Sequence, residues 1–299
     1  MSGAGMALRS GGVGGSGGFG SRAARGLRTG WLRAQRLGLG LSPFSDPVEP
    51  VPAEPPLHVW RRTGSRRRLI VSIWDLGRNA QAEPRPAMAD TLCSIGNDSV
   101  LFLADATRSW LNAPGLAAAM VARIEAEVAR LRPEEVVAVG NSLGATSALH
   151  LARRTRIDRV LATGPRFSVD PEVVAAEARH FGKRGLERPL QFRDLSGLPP
   201  EGCEVTILLG GTARELAHAA HFATGANQRV LILPDLDHHV ATRLRQKKLL
   251  RPVARALLGG RIGAPDRTAR LDRLLAPLGA VERDAWFHKS NLSLAEGGL

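Results

Sequence analysis

Aromatic side chains are scarce in this chain. Phe and Trp make up 4% of its 299 residues, and tyrosine is absent. With so few stacking groups and no recognised nucleic-acid motif, the net charge of +13 is not read as a specific nucleic-acid surface. Cysteine is nearly absent too. Cys93 and Cys203 lie in apolar segments without metal-ligand spacing, so they are expected to be buried thiols in a reducing compartment. No run of some twenty apolar residues occurs, which excludes a membrane-crossing helix. The N-terminus lacks an apolar stretch of secretory-signal type. Together these absences point to a cytoplasmic protein.

Acidic residues are missing from positions 1–40, where six arginines stand among many glycines. Residues 1–56 are therefore read as a disordered basic leader followed by a Pro-rich linker or extended strap. The apolar fraction of 43% supports a substantial core in the rest of the chain. Strand-like runs at Leu57–Arg62, Arg68–Trp74, Ser99–Ala104, Glu135–Gly140, Arg159–Thr163, Glu204–Gly210 and Arg229–Pro234 alternate with helical patterns. The helical pattern is clearest at 116–131, where Leu116, Met120, Ile124, Val128 and Leu131 recur every three to four residues. That rhythm predicts an α/β fold with a mostly parallel, doubly wound sheet. The domain is expected over 57–260. Residues 166–202 break the rhythm; they are read as a lid insertion with a helix over 171–181. Further helices are expected over 240–258, interrupted at Pro252, and over 270–278. The tail from Val281 either straps back onto the domain or stays loose.

G-x-S-x-G occurs twice. Gly14-Gly15-Ser16-Gly17-Gly18 lies in low-complexity sequence without a strand or helix beside it. Gly140-Asn141-Ser142-Leu143-Gly144 lies between a β-branched strand and an Ala-rich helix. Only that second context makes the motif a nucleophile elbow, in which a sharp turn lifts the serine out at a strand end.

A serine nucleophile needs a base and an acid to orient that base. After the last strand comes PDLDHHV at 234–240, so His238 is the candidate base, with His239, which begins to merge with the following helix, as the alternative. The acid should follow the strand ending at Gly210, where Glu215 is available; Asp237 and Asp235 are its rivals. An oxyanion would be met by the Leu143 N–H and a second N–H after Trp74, at Asp75 or Leu76. His218 and His221 are read as one helix face near solvent, not as metal ligands. Neither a metal nor a cofactor is expected. Asp105 and Arg108 either line the pocket or stabilise a turn. The cations at 243–248 are read as a solvated helix face.

Residues 57–260 resemble the α/β-hydrolase superfamily, through GNSLG at 140–144, GTARE at 211–215 and PDLDHHV at 234–240. Within it the chain is similar to compact bacterial hydrolase-like proteins, some encoded with surface-polysaccharide genes. The resemblance implies a serine hydrolase acting on an ester or thioester, with a small-molecule or acylated substrate. The chain departs from the pattern in offering Glu where Asp is commoner and in lacking an HGGG-type segment. The missing Asp and the basic N-terminal tail motivate one alternative, a non-catalytic binding or assembly protein of the same fold, linked to surface-polysaccharide biosynthesis; another, an acyltransferase with the same triad, differs only in the acceptor.

Overall fold

The computed structural model describes residues 47–75, 83–182, 186, 188–258 and 265–296. The basic leader, at 1–46, and Leu76 lie outside the described residues. Nine strands form one sheet in the order β1-β2-β4-β3-β5-β6-β7-β8-β9. They are β1 (Glu49–Val51), β2 (Leu57–Arg62), β3 (Arg68–Ile73), β4 (Ser99–Asp105), β5 (Glu135–Asn141), β6 (Arg159–Thr163), β7 (Glu204–Gly210), β8 (Gln228–Leu233) and β9 (Val281–Glu282). The six strands from β4 to β8 in that order pair in parallel; β1, β2 and β9 are antiparallel additions at the edges.

Central strands are apolar without alternation because both faces are covered. In β3, Leu69, Val71 and Ile73 enter one core, and Ile70 enters the other. The first core is closed by α2 (Leu116–Leu131) and α3 (Leu143–Ala152). The second is closed by α1 (Ala89–Ile95), α6 (Val240–Gln246), α7 (Leu250–Leu258) and α8 (Pro265–Leu275). Between β7 and β8 runs α5 (Ala213–Ala219), and α9 (Arg283–Glu296) ends the described chain. Cys93 and Cys203 are buried free thiols, and burial pushes their pKa values up to about 11 and about 12.

Several elements sharpen the sequence expectation or differ from it. Part of the Pro-rich segment is a strand: Glu49–Val51 pairs with Arg61–Val59. The insertion carries a turn at 171–173, a 3-10 turn at Ala175–Glu177 and the short α4 (Ala178–Phe181), not one helix over 171–181. Asp170 holds that turn, its carboxylate accepting the Glu172 N–H and its carbonyl those of Val173 and Val174. The helical break at 247–249 precedes Pro252. Lys248 is left-handed (φ 59°), and the Leu249 N–H closes back to the Leu244 carbonyl, a Schellman-type stop. Pro252 sits in the first turn of α7, where its missing N–H has no helical acceptor to lose. The tail straps back, through β9 and through Trp286 and Phe287 against the first core.

α3 lies unusually close to β3 and β5. A methyl group on Gly144 would fall inside van der Waals contact with the Ile73 carbonyl and 2.9 Å from the Trp74 carbonyl. One on Gly140 would overlap the Gly144 carbonyl. Gly144→Ala is therefore expected to cost about 3 kcal/mol in urea unfolding, while Gly225→Ala, with open space around it, changes stability little.

His150 on α3 is buried, packing edge-to-face on Phe192 with centroids 5.1 Å apart. Burial, and then the Arg154 and Arg153 charges, push its pKa down to about 3. Between pH 3 and about 6.5 the unfolded chain binds a proton that the folded chain refuses, so stability falls as pH falls through that window. The loss from this one ring approaches about 1.4 kcal/mol per pH unit. Urea midpoints at pH 7 and pH 5 should show a smaller difference in His150→Leu than in the parent protein.

Candidate active site

Ser142 joins β5 to α3 with φ 52° and ψ −117°, a conformation that non-glycine residues rarely hold. Its N–H is tied to the Thr163 carbonyl on β6 (2.8 Å). Asn141, just before it, donates to the Asp75 carboxylate (2.9 Å) and accepts from the Thr163 hydroxyl (3.1 Å). The elbow is thus clamped from β3 on one side and β6 on the other, with the Ser142 residue only 6% exposed.

The Ser142 Oγ lies 2.8 Å from His238 Nε2. His238 Nδ1 in turn lies 3.2 Å from Glu215 Oε1 and 3.4 Å from Oε2. The segments that follow the carboxyl ends of β5, β7 and β8 therefore bring the three residues into one hydrogen-bonded line. Two backbone features set the last two. The Gly211 N–H bonds to the Leu236 carbonyl (2.9 Å), holding the base of α5 against the histidine loop. Gly164, at φ 58°, lets that loop close in, since a methyl there would lie 2.9 Å from the His238 carbonyl and 3.3 Å from its Nδ1.

His239 and Asp237 are placed elsewhere. His239 is exposed and precedes α6; its N–H bonds to the Asp237 carboxylate (2.9 Å), which also pairs with Arg243 (3.2 Å). Asp235 is exposed in the same loop. Leu143 is the first residue of α3, where a backbone N–H has no helical acceptor. The Asp75 side chain serves Asn141. Asp105 serves a turn, accepting from the backbone and hydroxyl of both Thr107 and Ser109, and Arg108 lies over the Trp74 ring. Around Leu143, Trp110 and Val169 form a small apolar cluster that Leu186 and Leu190 of the insertion extend.

Burial raises the Glu215 pKa, but the His238 hydrogen bond and the Arg166 charge outweigh it and hold the carboxyl below its ordinary value. For His238, burial and the nearby Arg166 outweigh the pull of Glu215, so the imidazole also lies below its usual range. A neutral ring beside an ionised carboxylate carries its proton on Nδ1 and leaves Nε2 free to accept from Ser142.

The sequence reading missed what lies behind Glu215. Arg166 Nη1 donates to Glu215 Oε1 at 2.6 Å, and Glu177 Oε1 lies 3.7 Å from Arg166 Nε. Glu177 also accepts from Arg214 (2.8 and 3.0 Å) and lies 3.0 Å from His218 Nε2. His218 is fully buried, contrary to the expected solvent-facing position, because its Nδ1 accepts the Phe167 N–H (3.2 Å) while Nε2 faces Glu177. His221 is exposed and stacks on Phe167. No local pattern marks Arg166 or Glu177, since both sit in the irregular insertion. Among the described residues no helix is long and apolar enough to cross a membrane.

No protein-family model and no curated protein matches the chain in sequence. Solved structures do match in shape. The capsule O-acetyltransferase of Neisseria meningitidis serogroup A superposes with a TM-score of 0.50 at 13% identity, over 72% of this chain and 99% of that one. Pyrococcus horikoshii acylaminoacyl peptidase superposes with a TM-score of 0.51 at 10% identity, over 80% of this chain and 45% of that one. These likenesses agree with the sheet order and the strand–elbow–helix at Ser142: the chain has the α/β-hydrolase fold.

Proposed function

We propose that this protein is a serine hydrolase that cleaves an ester or thioester through an acyl-enzyme on Ser142. One observation carries the reading: the Ser142 Oγ–His238 Nε2 contact of 2.8 Å, with Glu215 on the opposite ring nitrogen. In this reading Ser142 attacks the acyl carbonyl as His238 Nε2 takes its proton. The developing imidazolium is stabilised by ionised Glu215, and the oxyanion by the Leu143 N–H at the start of α3. His238 then returns the proton to the departing alcohol or thiol. Water, deprotonated by the same ring, releases the acid. The apolar cluster of Trp110, Leu143 and Val169 offers the acyl group a wall beside the nucleophile.

A non-catalytic binding role is not favoured, because it gives no reason for a strained serine held on a neutral, carboxylate-oriented histidine.

Labelling with a fluorophosphonate probe tests the nucleophile. The parent protein should be labelled and Ser142→Ala should not; equal labelling of the two defeats the reading. Hydrolysis of p-nitrophenyl acetate tests the acid. Glu215→Gln should lower kcat by about 10²- to 10⁴-fold, whereas Asp237→Asn should stay within about twofold. The opposite ranking would move the acid to Asp237.

A further inference from the structure

We propose that Arg166 is a positioning residue for the Ser142–His238–Glu215 line, and that Glu177 of the insertion sets how strongly it acts by competing for the same guanidinium. The inference rests on the hydrolase reading and adds to it a control on the base. Arg166, Glu177 and Glu215 are each no more than 1% exposed, so no water shell screens them from one another. Arg166 Nη1 is 2.6 Å from Glu215 Oε1, the oxygen that also lies 3.2 Å from His238 Nδ1. Its Nε faces Glu177 Oε1 at 3.7 Å. The backbone of Arg166 is fixed to the nucleophile's own helix: its N–H donates to the Thr146 hydroxyl (2.8 Å), one turn after Ser142.

A carboxylate alone beside an imidazole favours the imidazolium. A guanidinium on the same oxygen opposes that, keeping His238 neutral and ready to accept the serine proton at lower pH. Glu177 draws part of that positive field away from the site. The other charged or titratable groups in play are few. His238 also faces His239; Arg166 also faces Arg214; Glu177 also holds Arg214 and His218. The two substitutions should therefore move His238 in opposite directions. A role in folding alone predicts no such pair of signs.

The test is the NMR titration of the His238 C2–H resonance, assigned with His238→Gln, alongside the pH dependence of fluorophosphonate labelling. Arg166→Met should raise the His238 midpoint by about one pH unit and carry the acid limb of labelling up with it. Arg166→Lys should lie near the parent protein. Glu177→Gln, nearly isosteric, should lower the midpoint. If Arg166→Met does not fold, Glu177→Gln decides: an unchanged or raised midpoint in the folded variant overturns the proposal. The titration needs no turnover, so shifted midpoints without any labelling overturn the hydrolase reading alone. Normal labelling with unmoved midpoints overturns this inference alone.

Discussion

The near-contact of α3 with β3 and β5 is the constraint on which the site depends. Two glycines, four residues apart, let the first turn of a helix settle against the strand carbonyls of Ile73 and Trp74. The chain between them has no relaxed path, and Ser142 absorbs the mismatch in a conformation that residues with a side chain avoid. The result projects the hydroxyl at the strand end and leaves the opening N–H groups of α3 beside it. The clamp through Asn141, Asp75 and Thr163 prevents the strained turn from relaxing. The packing of a helix on a sheet thus becomes the placement of the Ser142 hydroxyl at the strand end.

The second organising feature is electrostatic. Glu215 and Glu177 are buried carboxylates, and each would be costly alone. Arg166 lies between them, with Arg214 at the outer edge and neutral His218 closing the inner one. The cluster balances its charge internally, which offsets the cost of burying the two carboxylates. It also joins the insertion to the sheet: Glu177 belongs to the irregular segment, Glu215 to α5 at the end of β7, and Arg166 to the loop after β6. Ion pairs of Asp170 and Glu172 with Arg188 and Arg193 brace the same segment further out. Packing of Phe167, Val174, Phe192 and Leu195 into the first core holds it down.

Features that depend on neighbours in sequence were readable and those that depend on distant partners were not. The buried strands announced themselves because two covered faces demand unbroken apolar runs. The elbow did so because its strand, glycines and helix are contiguous. The short edge strands β1 and β9 left no mark, as two or three residues cannot show a period. Pro252 misled for a related reason: a proline looks like a break unless one knows which turn of the helix it occupies. His218 misled because a histidine three residues from another reads as a polar face until the fold brings Phe167 and Glu177 to its two nitrogens.

By itself the sequence determined the α/β architecture, the position of Ser142 and the neighbourhood of its partners. It ranked His238 only slightly ahead of His239, since adjacent residues in a loop differ in sequence only in the direction they face, and it ranked Glu215 ahead of Asp237 by its place after β7. Only the tertiary structure shows which of them lie in line with Ser142. The bond from Gly211 to Leu236 and the gap at Gly164 turn His238 inward, while Asp237 is spent on the His239 backbone and Arg243. Arg166 came into view only with the fold, because a buried charge owes its place to the two carboxylates around it, and these lie 11 and 49 residues away along the chain.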